Sequence, residues 1–182
     1  MVFIAGEYWV VVDRLRSSRP YRYDLRWHLT PEADGFTTIS QSGDAVTIRA
    51  PDLALILPGT PTVTLEDGWV SPRYGIKDPA PVISVVTDGV ADTDFFTLIC
   101  PLPAHRRPPT MQIIHDGSRA PERTVLQVDG VGPDGRTTDL ISLDPCEPHD
   151  RARARGADHS AAWIRTSVHG VMTHSSVARK RT

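Results

Sequence analysis

Lysine is nearly absent from this 182-residue sequence. Of its 20 basic residues only Lys77 and Lys180 are lysines. Its positive charge is therefore almost all guanidinium, a group suited to carboxylate or sulfate, although a codon preference for arginine yields the same composition. Neither sign of charge is in large excess, with a formal net charge of −2 and a pI near 6.4. A dedicated nucleic-acid binder would show a strongly basic footprint, so nucleic acid is excluded as a partner, as is capture of a polyanion by bulk charge. Cysteine is scarce too. Cys100 and Cys146 are too few for a disulfide framework, and nothing supports a bridge between them. Cys100 ends the apolar run that starts at Phe95 and reads as a buried, inert thiol. No segment approaches the ~18 apolar residues of a membrane span. The opening residues, Met1 to Trp9, have no basic n-region, long apolar stretch or small-residue cleavage site, so neither a membrane partner nor an export signal is expected.

Helical periodicity is also missing. There are 16 prolines, and before residue 150 no convincing apolar run at i, i+3, i+4, i+7. Alternation of period two takes its place. From Arg22 to Thr30, Tyr23, Leu25, Trp27 and Leu29 share one side, while Arg22, Asp24, Arg26, His28 and Thr30 share the other. Shorter runs, many rich in β-branched residues, predict strands at Val46–Arg49, Leu53–Leu57, Thr62–Glu66, Val82–Thr87, Phe95–Cys100, Met111–His115, Thr124–Asp129 and Asp139–Leu143. Tyr8–Asp13 reads as a more fully buried strand. Asp-Gly pairs at 34–35, 67–68, 88–89, 116–117, 129–130 and 134–135 supply the positive φ that tight hairpins require. The expected fold is all-β, an antiparallel β-sandwich of ten or more strands with little helix.

Composition shifts near Pro145. Residues 145–182 hold seven basic and three acidic residues, a net +4, so the first 144 carry −6 of the total −2. The expected organisation is a sandwich domain at 1–144 and a poorly structured basic tail at 145–182, with one further strand at Ala161–Val168.

Few residues suggest chemistry. There is no Gly-x-Ser-x-Gly elbow, no phosphate-cradling glycine loop before a helix and no zinc-protease signature. The seven histidines are dispersed, so neither metal nor cofactor is expected. Tyr74 beside Arg73 is a candidate tyrosine base with a cationic neighbour, though Ser-Pro-Arg-Tyr-Gly reads first as a turn whose ring packs locally. His28 and Arg26 lie on the polar face of their strand, where they would meet a sugar, a neighbouring domain or simply water. Trp27 falls on an apolar face and Trp9 in a buried run, which leaves Trp69, next to a turn, as the candidate sugar platform.

Three segments carry a family resemblance: Tyr8-Trp-Val-Val-Val-Asp-Arg-Leu15, Tyr23-Asp-Leu-Arg-Trp-His-Leu-Thr-Pro31, and Glu66-Asp-Gly-Trp-Val-Ser-Pro-Arg-Tyr-Gly75 running on to Pro79-Ala-Pro81. In this order and spacing, over roughly residues 3–103, they resemble the C-terminal β-sandwich of heparinase II/III-like and alginate-lyase-related polysaccharide lyases. The resemblance implies a carbon–oxygen lyase acting by β-elimination on an acidic polysaccharide bound between a helical toroid and the sandwich, in a protein exported to the periplasm or beyond. Elimination needs a group to neutralise the uronate, a base for the C5 proton and an acid for the leaving oxygen. The family draws these from an Asn and a Tyr of the toroid and from a His-rich His-x-Asp stretch. His115-Asp116 and His149-Asp150 match neither the spacing nor the position, so no catalytic residue is assigned. The expectation is a sandwich fragment inactive alone, whose partner is a toroid domain, a second copy of itself or an acidic polysaccharide. The rival reading is a free-standing carbohydrate-binding or protein-interaction module.

Overall fold

A computed structural model of the chain describes residues 1–103, 105–115, 124–132, 134–143, 161–167 and 170–172. It forms two compact units that divide between Pro108 and Pro109, whereas composition shifts at Pro145. The described residues hold fourteen strands and one 3-10 turn, Pro31–Ala33. No helix among them is long and apolar enough to cross a membrane.

The first unit contains two sheets. One has six strands in the order β1-β2-β9-β6-β5-β4: β1 is Val2–Ile4, β2 Tyr8–Leu15, β4 Thr38–Ser42, β5 Ala45–Ala50, β6 Leu53–Pro58 and β9 Thr93–Pro101. The other has three, β3-β8-β7, with β3 at Tyr21–His28, β7 at Thr62–Val70 and β8 at Asp78–Val90. The neighbouring pairs β2–β9, β6–β9, β5–β6, β4–β5, β3–β8 and β7–β8 are all antiparallel. The two sheets face each other across one core: Val46, Ile48, Leu55, Leu57 and Phe95 of the larger sheet meet Ile83 and Val85 of β8, with Leu29 and Ala33 closing it. Tyr23, Leu25 and Trp27 of β3 pack against this cluster, as their alternation predicts.

β6 shows why alternation fails in some strands. Leu-Ala-Leu-Ile-Leu-Pro is an unbroken apolar run because both of its faces are buried: Leu55 and Leu57 belong to the core between the sheets, and Ala54 and Ile56 on the opposite face are also inaccessible. Val10, Phe96 and Leu98 are buried as well, and adjoin one another through the β2–β9 register.

The second unit is a five-stranded sheet in the order β10-β11-β12-β13-β14, with β10 at Thr110–His115, β11 at Thr124–Val131, β12 at Thr137–Leu143, β13 at Ala161–Ser167 and β14 at Gly170–Met172. Leu126, Val128, Ile141 and Met111 are buried on one face. Asp139 lies on that same face, opposite Val128 on one side and Arg165 on the other. Its carboxylate is fully buried and accepts two hydrogen bonds from Arg165, from Nε at 2.7 Å and from a terminal nitrogen at 2.8 Å. The fork-to-fork geometry satisfies two desolvated charges at once. It also fastens β13, the only 145–182 stretch longer than three residues that is described, to the sheet.

The Asp-Gly pairs divide by position. Gly35 and Gly135 sit in turns at positive φ. Gly89 and Gly130 also have positive φ but lie within β8 and β11 where the ladder register shifts, so they serve bulges instead of hairpin tips. Gly68 is inside β7, and Asp116-Gly117 lies outside the described residues. Cys100 is a free, buried thiol whose titration burial pushes upward; Cys146 lies outside the described residues.

Two stability outcomes follow. Arg165→Ala removes two charge-assisted hydrogen bonds from a buried carboxylate and should lower stability by about 3–5 kcal/mol, while Arg26→Ala, an exposed residue, should leave the urea midpoint near wild type. Equal midpoints for these two variants would contradict the burial of the Asp139 pair. Trp27 is half-buried and its Nε1 has no acceptor among the described residues. Trp27→Phe removes that unpartnered donor and should cost less than about 1.5 kcal/mol, whereas Trp27→Ala, which empties the site, should cost about 3 kcal/mol. Chemical denaturation of both variants checks the order.

Candidate functional site

The polar face of the three-stranded sheet is set by register. Arg26 lies opposite Ser84 on β8, which lies opposite Thr64 on β7; His28, Val82 and Glu66 form the next row. Asp24 and Arg26, two residues apart on β3, share this face. Arg26 donates from Nε to Asp24 at 2.9 Å, and a terminal nitrogen lies 3.2 Å from Glu66. The guanidinium thus ties the two outer strands together across β8. Beneath it the buried Ser84 hydroxyl donates to the Asp24 carboxylate at 2.7 Å. That hydrogen bond is the main reason the Asp24 carboxyl titrates below its usual 3.8; partial burial opposes it and Arg26 adds to it. Asp24 in turn raises Arg26.

At the far end of the sheet the structure brings His28 against the backbone of Trp69, whose side chain has the parity of Leu65 and so lies on the opposite face from Glu66. His28 Nδ1 lies 3.3 Å from the Trp69 carbonyl oxygen. The oxygen can only accept, so the contact requires the proton on Nδ1. The Trp69 ring is half-exposed, and Lys77 Nζ stands 4.2 Å from its centroid. This cation–π contact, of order 0.5–1 kcal/mol at an exposed site, holds an ammonium over one face of the indole. Gly68 makes the approach of β7 to β8 possible here: a Cβ would stand 2.3 Å from Val82 Cγ2 and 3.2 Å from the Ala80 carbonyl oxygen.

Arg73 and Tyr74 belong to the connection from β7 to β8. The Ile76 N–H donates to the Arg73 carbonyl at 3.1 Å, the Ser71 hydroxyl donates to the same oxygen at 3.0 Å, and Gly75 takes the positive φ of 78° that this tight turn needs. The expectation that the Tyr74 ring packs locally does not hold. The ring is fully exposed and projects from the corner of the turn. Among the described residues no hydrogen bond or ion pair links the Arg73 or Tyr74 side chain to Arg26 or His28. Lys77 and Glu66 were not candidates from sequence. Glu66 could have been found by continuing the two-residue parity of β7; Lys77 had only its rarity as a signal.

The arrangement offers an exposed indole with an ammonium over it, and the turn that follows the strand carries an exposed phenol, Arg73 and the half-exposed Ile76. Such a surface suits a flat apolar sugar face bearing an anionic substituent. It does not, among the described residues, bring a base and an acid together at a water-excluded point. Among the described residues no three His, Cys, Asp or Glu side chains cluster as a metal site would require.

Ser84→Ala should free the Asp24 carboxyl to titrate nearer 3.8. A carboxyl depressed in the folded state stabilises above its unfolded value, and the gain is lost as pH falls through the folded value. The melting-temperature gap between wild type and Ser84→Ala should therefore be constant above about pH 5 and narrow below 3.8; a gap that widens in acid would reverse the sign of the linkage. Gly68→Ala overpacks against Val82 and should cost about 1–3 kcal/mol, with a shift in Trp69 fluorescence as β7 is pushed from β8.

The heparinase II/III-like C-terminal family model matches residues 1–125. No curated protein and no solved structure matches the chain. The family match covers β1 through β10, including the whole of the β3-β8-β7 sheet and the turn that carries Tyr74. The chain accordingly belongs to the heparinase II/III-like family, as the C-terminal β-rich region of that polysaccharide-lyase lineage.

Proposed function

We propose that these 182 residues serve as the sandwich portion of a heparinase II/III-like polysaccharide lyase, contacting an acidic polysaccharide without themselves carrying out the elimination. The family match over residues 1–125 is the observation that carries this reading. Elimination of a uronate demands that three groups act together on one sugar. In this sequence the His-rich His-x-Asp stretch that resemblance would lead one to seek is not found. Tyr74 with Arg73, the remaining candidate pair, stands exposed on a turn, and among the described residues no hydrogen bond or ion pair holds a second proton-transfer group beside the phenol. A base working alone in bulk solvent gains neither proximity nor electrostatic preorganisation.

The role assigned to the Trp69 end of the sheet is contact with the polymer. Trp69 offers an apolar ring face, while Lys77 and Arg73 bring positive charge to a protein with nearly balanced charge overall. A second reading, a free-standing carbohydrate-binding module, rests on the same exposed Trp69 and Tyr74. The readings part on what happens when a lyase toroid is supplied.

Incubation of the pure chain with heparin, heparan sulfate and alginate should produce no ultraviolet absorbance from unsaturated uronate; enzyme-proportional absorbance would overturn the proposal. Affinity for immobilised alginate or heparin should fall severalfold in Trp69→Ala and in Lys77→Ala and weaken with salt. Adding a helical toroid of the same family should restore or raise lyase activity if the chain is a lyase sandwich. Tight glycan binding with no response to a toroid would favour the free-standing module.

A further inference from the structure

We infer that the free edge of β4 pairs with β4 of a second copy of this chain, joining two six-stranded sheets across a two-fold axis. β4, Thr38-Ile-Ser-Gln-Ser42, is the last strand of its sheet and among the described residues pairs only with β5. All five of its residues are exposed, so neither face of the strand is covered. An antiparallel strand directs alternate N–H and C=O groups away from its one neighbour, and at a sheet edge these form a template for another strand.

The occupant follows from charge. Edge strands are ordinarily guarded by charged side chains, proline or a bulge. β3 and β7, the edges of the smaller sheet, carry Arg22, Asp24 and Arg26, or Glu66 and Asp67. β4 has no charge and no proline, and its register with β5 runs unbroken from Thr38 to Ser42. The sequence is also self-matching. Antiparallel pairing centred on Ser40 uses all five residues, sets Thr38 opposite Ser42 and Ile39 opposite Gln41, and opposes no like charges. The far edge of the same sheet, β1, has three residues and could match only part of β4. Ile39, half-exposed in the single copy, and the largely exposed Phe36 just before the strand supply apolar surface to the join. Pairing a strand with its own copy is isologous, so it closes at two copies. Five residues bury less than the ~1,200 Å² of a stable interface, so the dimer is weak and reversible.

Sedimentation velocity on the full chain over a concentration series tests this. Wild type should pass from monomer to dimer and stop there. Ser40→Lys places like charges opposite each other at the two-fold axis and should stay monomeric, as should Ser40→Glu. An equimolar mixture of the two variants should dimerise again, since opposite charges then meet; circular dichroism and melting temperature confirm that each variant is folded. A wild type that remains monomeric throughout, a dimer that survives Ser40→Lys, a mixture that fails to pair, or growth beyond two copies would each overturn the inference.

Discussion

Everything at the candidate site hangs on β8. Among the described residues it is the only strand that bonds to both β3 and β7, which otherwise meet through Arg26 with Glu66 and His28 with the Trp69 carbonyl. One face of β8 anchors the sheet in the core through Ile83 and Val85. The other presents Val82 and Ser84 beneath the Arg26–Asp24–Glu66 network. Shifting the β8 register by one residue would exchange these faces, moving Ser84 into the core and Ile83 under the guanidinium. The burial of Ile83 and Val85 therefore decides which polar groups can meet, and the ion pairs, exposed and individually weak, follow from it.

The prolines of β8 show how the strand can be central and yet contain them. Pro79 and Pro81 would each remove a ladder donor in the middle of a sheet. β3 pairs with β8 only as far as His28 opposite Val82, after which the Leu29 N–H donates to the Pro81 carbonyl. Pro81, and Pro79 with the same parity, therefore turn their missing N–H toward a side where β3 has already ended. Beyond this point β8 has β7 alone, and Trp69 opposite Pro79 becomes the rim of the sheet. The exposed indole and its lysine thus arise where the ladder runs out of partners.

The two units solve the problem of burying polar groups differently. In the first, the charges of β3 stay at the surface and the core is apolar, apart from the Trp27 Nε1 and Thr97 Oγ1 atoms that lack partners among the described residues. In the second, a carboxylate is placed among Leu126, Val128 and Ile141 and is met by a guanidinium from the next strand. A buried ion pair contributes little net stability over apolar residues of similar size, but it penalises any register in which the partners separate. Arg165, read from composition as one charge of a basic stretch, is in this setting the residue that selects the β12–β13 pairing.

The sequence by itself determined the all-β class, the family, and those strands whose two faces meet different solvents, β3 above all. Alternation is a local property, written in residues two apart. It could not reveal β4, whose Thr-Ile-Ser-Gln-Ser is exposed on both sides and so has no contrast to display, nor the full extent of β8 behind its prolines. Asp-Gly pairs marked positive φ at four of the five described positions, but whether each became a turn or a bulge depended on the partner strand. Only the tertiary structure decided that His28 meets Trp69, 41 residues away, and that Asp139 meets Arg165, 26 away. Such meetings depend on which strands pair and in what register. Both are chosen by burial summed over whole sheet faces, to which no single residue or local pattern holds the key.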